Sequence, residues 1–307
     1  MNGATPIDDA WLHAWPLPDA EKDGDKESRG RVLVVAGSRE MPGAAVLAGT
    51  AALRAGAGKL VIATPQSAAQ AVAGAVPEAR VIALPEASDG APTLFALPLL
   101  QPIAAQATAV VMGPGMIGRE TTVALVQSLL PFLKEATVVL DALAMDAVAA
   151  VRRFGQPLIL TPHAGEMAHL TGHGKEDLQE VPLAMATRWA SQWNAYVALK
   201  GPDTAIAAPD GRTWLHCAHA PGLGTSGSGD VLAGLIAGLA ARGAAPELAI
   251  AWGVALHARA GQALARRMGT VGYLARELPA EVPALMQALR ASPGPAAATD
   301  APDRRHR

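Results

Sequence analysis

Seven short, mostly apolar runs decide what kind of fold this chain can adopt. They are Val32–Val35, Leu60–Ala63, Arg80–Leu84, Ala109–Met112, Thr137–Leu140, Leu158–Leu160 and Ala195–Leu199. None alternates apolar with polar residues as a half-exposed strand does, so each reads as a strand buried on both faces. Ala/Leu-rich segments separate them, including 44–57. Buried strands alternating with helices build a mainly parallel sheet covered on both sides. After Lys200 the pattern changes. Ala205–Ala208, the turn Pro209-Asp-Gly211 and Thr213–His216 read as an antiparallel hairpin, and helices are expected over 230–242 and 246–268. The expected class is α/β, a three-layer α/β/α architecture with a mainly parallel central sheet and a hairpin in its C-terminal half. With 50% of residues hydrophobic and 17% charged, a large core is easily built. One domain is expected over 30–290, with an N-terminal extension over 1–29 that includes the charged run Glu21–Glu27. The Ala/Pro-rich tail over 291–307 is expected to be disordered.

Bulk properties exclude several classes. A formal charge of −2 gives no basic footprint for nucleic acid or an anionic membrane. The single cysteine, Cys217, cannot form an internal disulfide and suits a reducing compartment. The polar, acidic N-terminus carries no secretory pattern. No apolar stretch approaches the roughly 20 residues that span a bilayer. A cytoplasmic location is expected. His216, Cys217 and His219 resemble a metal trio but lack a second ligand cluster, so no zinc site is expected there.

The chemistry concentrates in Gly222-Leu-Gly-Thr-Ser-Gly-Ser-Gly-Asp230, followed by an apolar helical stretch. Glycines let the backbone turn its N–H groups inward, and the helix start adds unpaired donors and a positive dipole end. Gly227, Ser228 and Gly229 thus form a candidate anion hole for phosphate. Asp230 would repel a phosphate. It fits a general base that takes a proton from a hydroxyl beside the phosphoryl group, or a simple helix N-cap.

Ligands of open parallel sheets bind beyond the carboxyl ends of the strands. Those ends carry Ala36-Gly37-Ser38, Gly113-Pro-Gly115, Asp141, Thr161-Pro-His163-Ala-Gly-Glu166 and Lys200-Gly201-Pro202-Asp203-Thr204. Gly113-Pro-Gly115 is a plain turn or a close approach to a flat ligand. His163 is a ligand contact or a helix-start contact, and Glu166 a dipole partner in a first turn. Asp141 is a cap or a neighbour of metal or phosphate. Lys200 reads as a nucleotide contact.

These motifs, with Met41-Pro-Gly-Ala-Ala45, Ala52-Leu-Arg-Ala-Gly-Ala-Gly58 and Gly227-Ser-Gly-Asp230, resemble the ribokinase-like superfamily over roughly residues 25–290. Within it they are similar to the ADP-dependent NAD(P)H-hydrate dehydratases. The resemblance implies a ribokinase-like fold and a carbon–oxygen lyase that dehydrates NADHX or NADPHX to NADH or NADPH. Such enzymes consume ADP and release AMP and phosphate. Mg2+ on the diphosphate, a separate epimerase and a homotetramer are also implied. Asp230 would act on the hydrate and Gly229 would touch the adenylate. Lys200, Gly201, Pro202, Asp203 and Thr204 would form the nucleotide loop. Ala45, Gly113, Gly115 and His163 would contact the hydrated cofactor. The chain departs from many relatives at Ser226, which stands in a Gly position, and after Asp141, where the segment runs Ala-Leu-Ala-Met-Asp146. The alternatives are a kinase of the same fold acting on a vitamin-precursor alcohol, and a nucleotide-binding sensor without catalysis.

Overall fold

A computed structural model describes residues 3–19, 25–149, 154–218 and 220–291. The seven apolar runs become strands β2 (Arg31–Val35), β3 (Lys59–Pro65), β4 (Arg80–Leu84), β5 (Ala109–Met112), β6 (Thr137–Leu140), β7 (Leu158–Leu160) and β8 (Tyr196–Leu199). Three more strands, β1 (Thr5–Pro6), β9 (Asp203–Ala207) and β10 (Thr213–Cys217), complete one ten-stranded sheet. Its order is β1-β10-β9-β8-β7-β6-β5-β2-β3-β4. Only the β8–β9 and β9–β10 pairs are antiparallel.

Strand β2 shows why the runs are continuously apolar. Val32 and Val34 enter one buried cluster with helices Pro42–Arg54, Ser228–Ala241 and Pro246–Met268. Leu33 and Val35 enter a second cluster with helices Arg119–Leu129 and Pro182–Trp193. Successive side chains point to opposite faces, and both faces are dry. The three layers match the expected class.

Within the N-terminal extension, several described residues pack on the domain. Ile7, Leu12 and Leu17 are buried in the first cluster. Strand β1 adds itself in parallel beside β10, and Trp252 donates its indole N–H to Trp15 O at 2.8 Å. A few anchors spaced between polar residues pack well yet leave no periodic signal. Residue 20, residues 21–24 of the charged run, His219 and the tail from 292 lie outside the described residues.

One close approach positions the functional helix. A Cβ built on Gly234 would lie 2.1 Å from Ala48 O, and one on Gly238 would lie 2.4 Å from Ala52 O. Helices Pro42–Arg54 and Ser228–Ala241 therefore touch backbone to backbone along paired small residues. Gly234→Ala should force them apart, at a cost on the order of 1–3 kcal/mol from overpacking. Thermal denaturation checks this; an unchanged Tm would contradict it.

Candidate active site

Strands β6, β7 and β8 end side by side and deliver Asp141, Thr161-Pro162-His163 and Lys200. The main chain ties the last two together, Lys200 N donating to Pro162 O at 2.8 Å. Just after Asp141, Ala142 has φ 47°, a left-handed conformation that a non-glycine residue adopts at a cost. That turn ends β6 and leaves Asp141 at the sheet edge.

Helix Ser228–Ala241 starts opposite these strand ends. Its N-cap is Gly227, with φ 86°. Asp230 is the third helical residue and does not cap the helix, so the N-cap alternative is excluded. Val231 N already bonds Gly227 O. Ser228 N donates to Thr225 O at 3.2 Å, so this N–H is spent inside the loop rather than offered to an anion. Among the described residues, the N–H groups of Gly229 and Asp230 have no backbone acceptor. The anion hole is thus narrower in its main-chain donors than the motif suggests.

These elements line a cleft of about 880 Å3 that includes Asp141, His163, Glu166, Lys200, Gly201, Pro202, Asp203, Thr204, Ser228, Gly229, Asp230 and His257. Asp141, 3% exposed, accepts from Thr161 Oγ1 at 2.6 Å and from Lys200 Nζ at 3.4 Å. Lys200 Nζ also lies 3.9 Å from Glu166 Oε2. It would be 3.3 Å from a Cβ on Gly229, which places the ammonium at the mouth of the anion hole. Asp230 forms no hydrogen bond or ion pair among the described residues. Burial, and then the negative charge of Asp141, push its carboxyl up to about 7, with Lys200 pulling down and Glu166 pushing up. A carboxylate poised near neutrality and free of partners suits a general base.

His163 has a divided role. Its Nδ1 accepts from Gly165 N at 3.0 Å and Glu166 N at 3.1 Å, so it caps helix Ala164–Thr171. Glu166 Oε2 accepts from His163 N at 2.8 Å and closes the capping box. The ring still lines the cleft. With Nδ1 accepting, a neutral ring carries its proton on Nε2.

Three of the expected contact residues, Ala45, Gly113 and Gly115, lie outside the lining of this cleft. Ala45 is fully buried and presents no surface to a ligand. Gly113 is needed because a Cβ there would stand 1.8 Å from Asp141 O, and Gly115 because one there would stand 2.6 Å from the Ala44 Cβ. Both have positive φ, and neither lines the cleft. Their small size serves backbone packing around Asp141 and the helix Pro42–Arg54. His216 Nδ1 hydrogen-bonds Ile7 O at 2.9 Å, so this ring anchors β1. Sequence reasoning missed His257, a buried polar residue within an apolar helix, and gave Thr161 no role. A lone histidine in an Ala/Val-rich helix was the available signal.

No group of three His, Cys, Asp or Glu side chains converges as a metal cage among the described residues. The centre nonetheless sets Asp141, Glu166 and Asp230 around one lysine, an excess of negative charge that suits a divalent ion carried on a diphosphate.

The NAD(P)H-hydrate dehydratase family model matches residues 32–284. The chain is 49% identical to the ADP-dependent (S)-NAD(P)H-hydrate dehydratase of Xanthomonas campestris over 280 residues, 91% of this chain and 95% of that protein. It is 42% identical to the bifunctional NAD(P)H-hydrate repair enzyme of Moorella thermoacetica, covering 88% of this chain but 51% of that one. Among solved structures, the ADP/ATP-dependent NAD(P)H-hydrate dehydratase of Bacillus subtilis, co-crystallised with ATP and Mg2+, superposes with TM-score 0.78 at 30% identity. That match covers 94% of this chain and all of the other. A ribokinase-like protein of Enterococcus faecalis, 24% identical with TM-score 0.82, shares the fold.

Proposed function

Because this chain belongs to the NAD(P)H-hydrate dehydratase family, we propose that it dehydrates (S)-NADHX and (S)-NADPHX to NADH and NADPH. The reaction consumes ADP and releases AMP and phosphate. The observation that carries this reading is Asp230, unpaired and held near neutrality beside free helix N–H groups and the Lys200 ammonium. Hydroxide is a poor leaving group. In this mechanism the ring hydroxyl oxygen attacks the terminal phosphorus of ADP, Asp230 takes its proton, and AMP departs. The N–H groups of Gly229 and Asp230 stabilise the charge on the transferring phosphoryl group. The ring nitrogen's electron pair then expels phosphate, and loss of a proton from the adjacent ring carbon restores the double bond. Lys200 and the Gly201–Thr204 segment hold the nucleotide, and His163 faces the hydrate. Mg2+, when bound, would neutralise the diphosphate.

This chain covers 51% of the bifunctional Moorella thermoacetica enzyme, and an NAD(P)H-hydrate epimerase is the functional partner in this reading. A cytoplasmic homotetramer completes the proposal. Exposed Leu94, Phe95 and Leu99 offer apolar surface for subunit contact, and among the described residues no helix is long and apolar enough to cross a membrane.

Incubation with NADHX and either ADP or ATP, at matched Mg2+, tests the reading. Reduced nicotinamide should appear together with AMP, and faster with ADP. Equal or better rates with ATP would overturn the nucleotide choice. A stable phosphorylated product would mark a kinase, and ADP binding without turnover a sensor.

Lys200→Ala should raise KM for ADP about tenfold, the size of one lost charged hydrogen bond, with a smaller change in kcat. It should also move the pH limb of Asp230 upward, because the cation that lowers this pKa is gone. Steady-state kinetics against pH check both. A loss confined to kcat would place Lys200 in the chemical step instead.

A further inference from the structure

His257, on helix Pro246–Met268, has no role in the mechanism above, yet it is buried and lines the cleft. Its Nε2 lies 2.9 Å from Ser228 Oγ and 3.0 Å from Ser228 O. A carbonyl oxygen only accepts, so Nε2 must carry the proton. The same N–H then points at the hydroxyl oxygen, which accepts on that side. The hydroxyl proton cannot also point at Nε2 and is left to be donated elsewhere. Ser228 lines the cleft, and its own backbone N–H is spent on Thr225. Burial keeps the imidazole neutral, its pKa lowered to about 4, so this arrangement persists across the neutral range.

We infer that the Ser228 hydroxyl is a third donor of the anion hole, aimed at the terminal phosphoryl oxygens by His257. Ser228 is then a catalytic residue and His257 a positioning residue that acts through it. The inference rests on the phosphoryl-transfer reading and extends it. It replaces the N–H that Ser228 was expected to supply with a side-chain donor from the same residue.

The test uses Ser228→Ala, His257→Gln, His257→Leu and the double variant Ser228→Ala/His257→Leu of the full chain. Ser228→Ala should lower kcat by about 10- to 100-fold with little change in KM for the hydrate. It should weaken ADP binding about tenfold by calorimetry and leave AMP binding unchanged, because the lost donor meets only the terminal phosphate. His257→Gln retains a donor and should recover most of the wild-type rate. His257→Leu should match Ser228→Ala, and the double variant should be no worse than either, as expected of residues acting through one group. Wild-type kcat and ADP affinity in Ser228→Ala would overturn the inference, as would additive losses in the double variant. If His257→Leu does not fold, the ADP-to-AMP affinity ratio of Ser228→Ala decides alone. If the wild-type protein turns over no hydrate, the dehydratase reading fails, and the same ratio still decides for or against the hydroxyl.

Discussion

Asp230→Asn is expected to abolish turnover in a protein that still folds and still binds ADP. Loss of a general base costs on the order of 100- to 10,000-fold in rate. Asn keeps the shape of the side chain, and because Gly227 rather than Asp230 is the N-cap, no capping bond is lost. ADP affinity should hold or improve as one negative charge leaves the anion hole. Stability should move the opposite way to activity. The folded pKa of Asp230 lies near 7, above its ordinary 3.8. The associated stability is therefore full below the ordinary value and is lost as pH rises through about 7. Above that pH the wild-type protein carries a buried charge that the Asn variant lacks. The variant should then be the more stable one, by on the order of 1–3 kcal/mol. In the wild type, kcat/KM should rise with pH and level off above about 7. Near-normal turnover of Asp230→Asn would remove this carboxylate from the mechanism.

Gly227→Ala carries the second large effect. Gly227 has φ 86° and a Cβ there would fall 2.4 Å from Leu47 Cδ1. Alanine resists that conformation by about 1–2 kcal/mol, and the clash adds to it. The loop must shift, and with it the N–H groups of Gly229 and Asp230. Misplacing such donors costs about 100- to 1,000-fold in kcat. Gly229→Ala gives the contrast, because its Cβ would meet the flexible end of Lys200 at 3.3 Å and Asp141 Oδ2 at an ordinary 3.9 Å. It should stay folded and lose less. Parallel measurement of kcat and Tm separates the two; a wild-type kcat in Gly227→Ala would show that the loop geometry is not needed.

The strands were legible because a strand buried on both faces must be largely apolar, as Val32–Val35 and Val138–Leu140 are. The site was legible because parallel strands deliver their C-terminal loops to one edge, which brings Asp141, His163 and Lys200 together. Other features carry no pattern. Strand β1 pairs through its backbone, which any sequence can supply. Ala45, Gly113 and Gly115 show that a site is crowded but not whether ligand or backbone crowds it. Whether Asp230 caps the helix or sits within its first turn depends on the dihedral of Gly227. The spending of the Ser228 N–H on Thr225 is set by the dihedrals of a local turn, and the contact of Ser228 with His257 joins residues 29 apart in sequence.

The central claim is that the ring hydroxyl itself attacks the terminal phosphorus and leaves as phosphate. Heavy-oxygen label placed in that hydroxyl of NADHX follows the step directly. After turnover with ADP in unlabelled water, mass spectrometry of the inorganic phosphate should find the label there, with AMP unlabelled. Label released to water, with phosphate taking its new oxygen from solvent, would show that ADP hydrolysis and dehydration are separate events and would contradict the account.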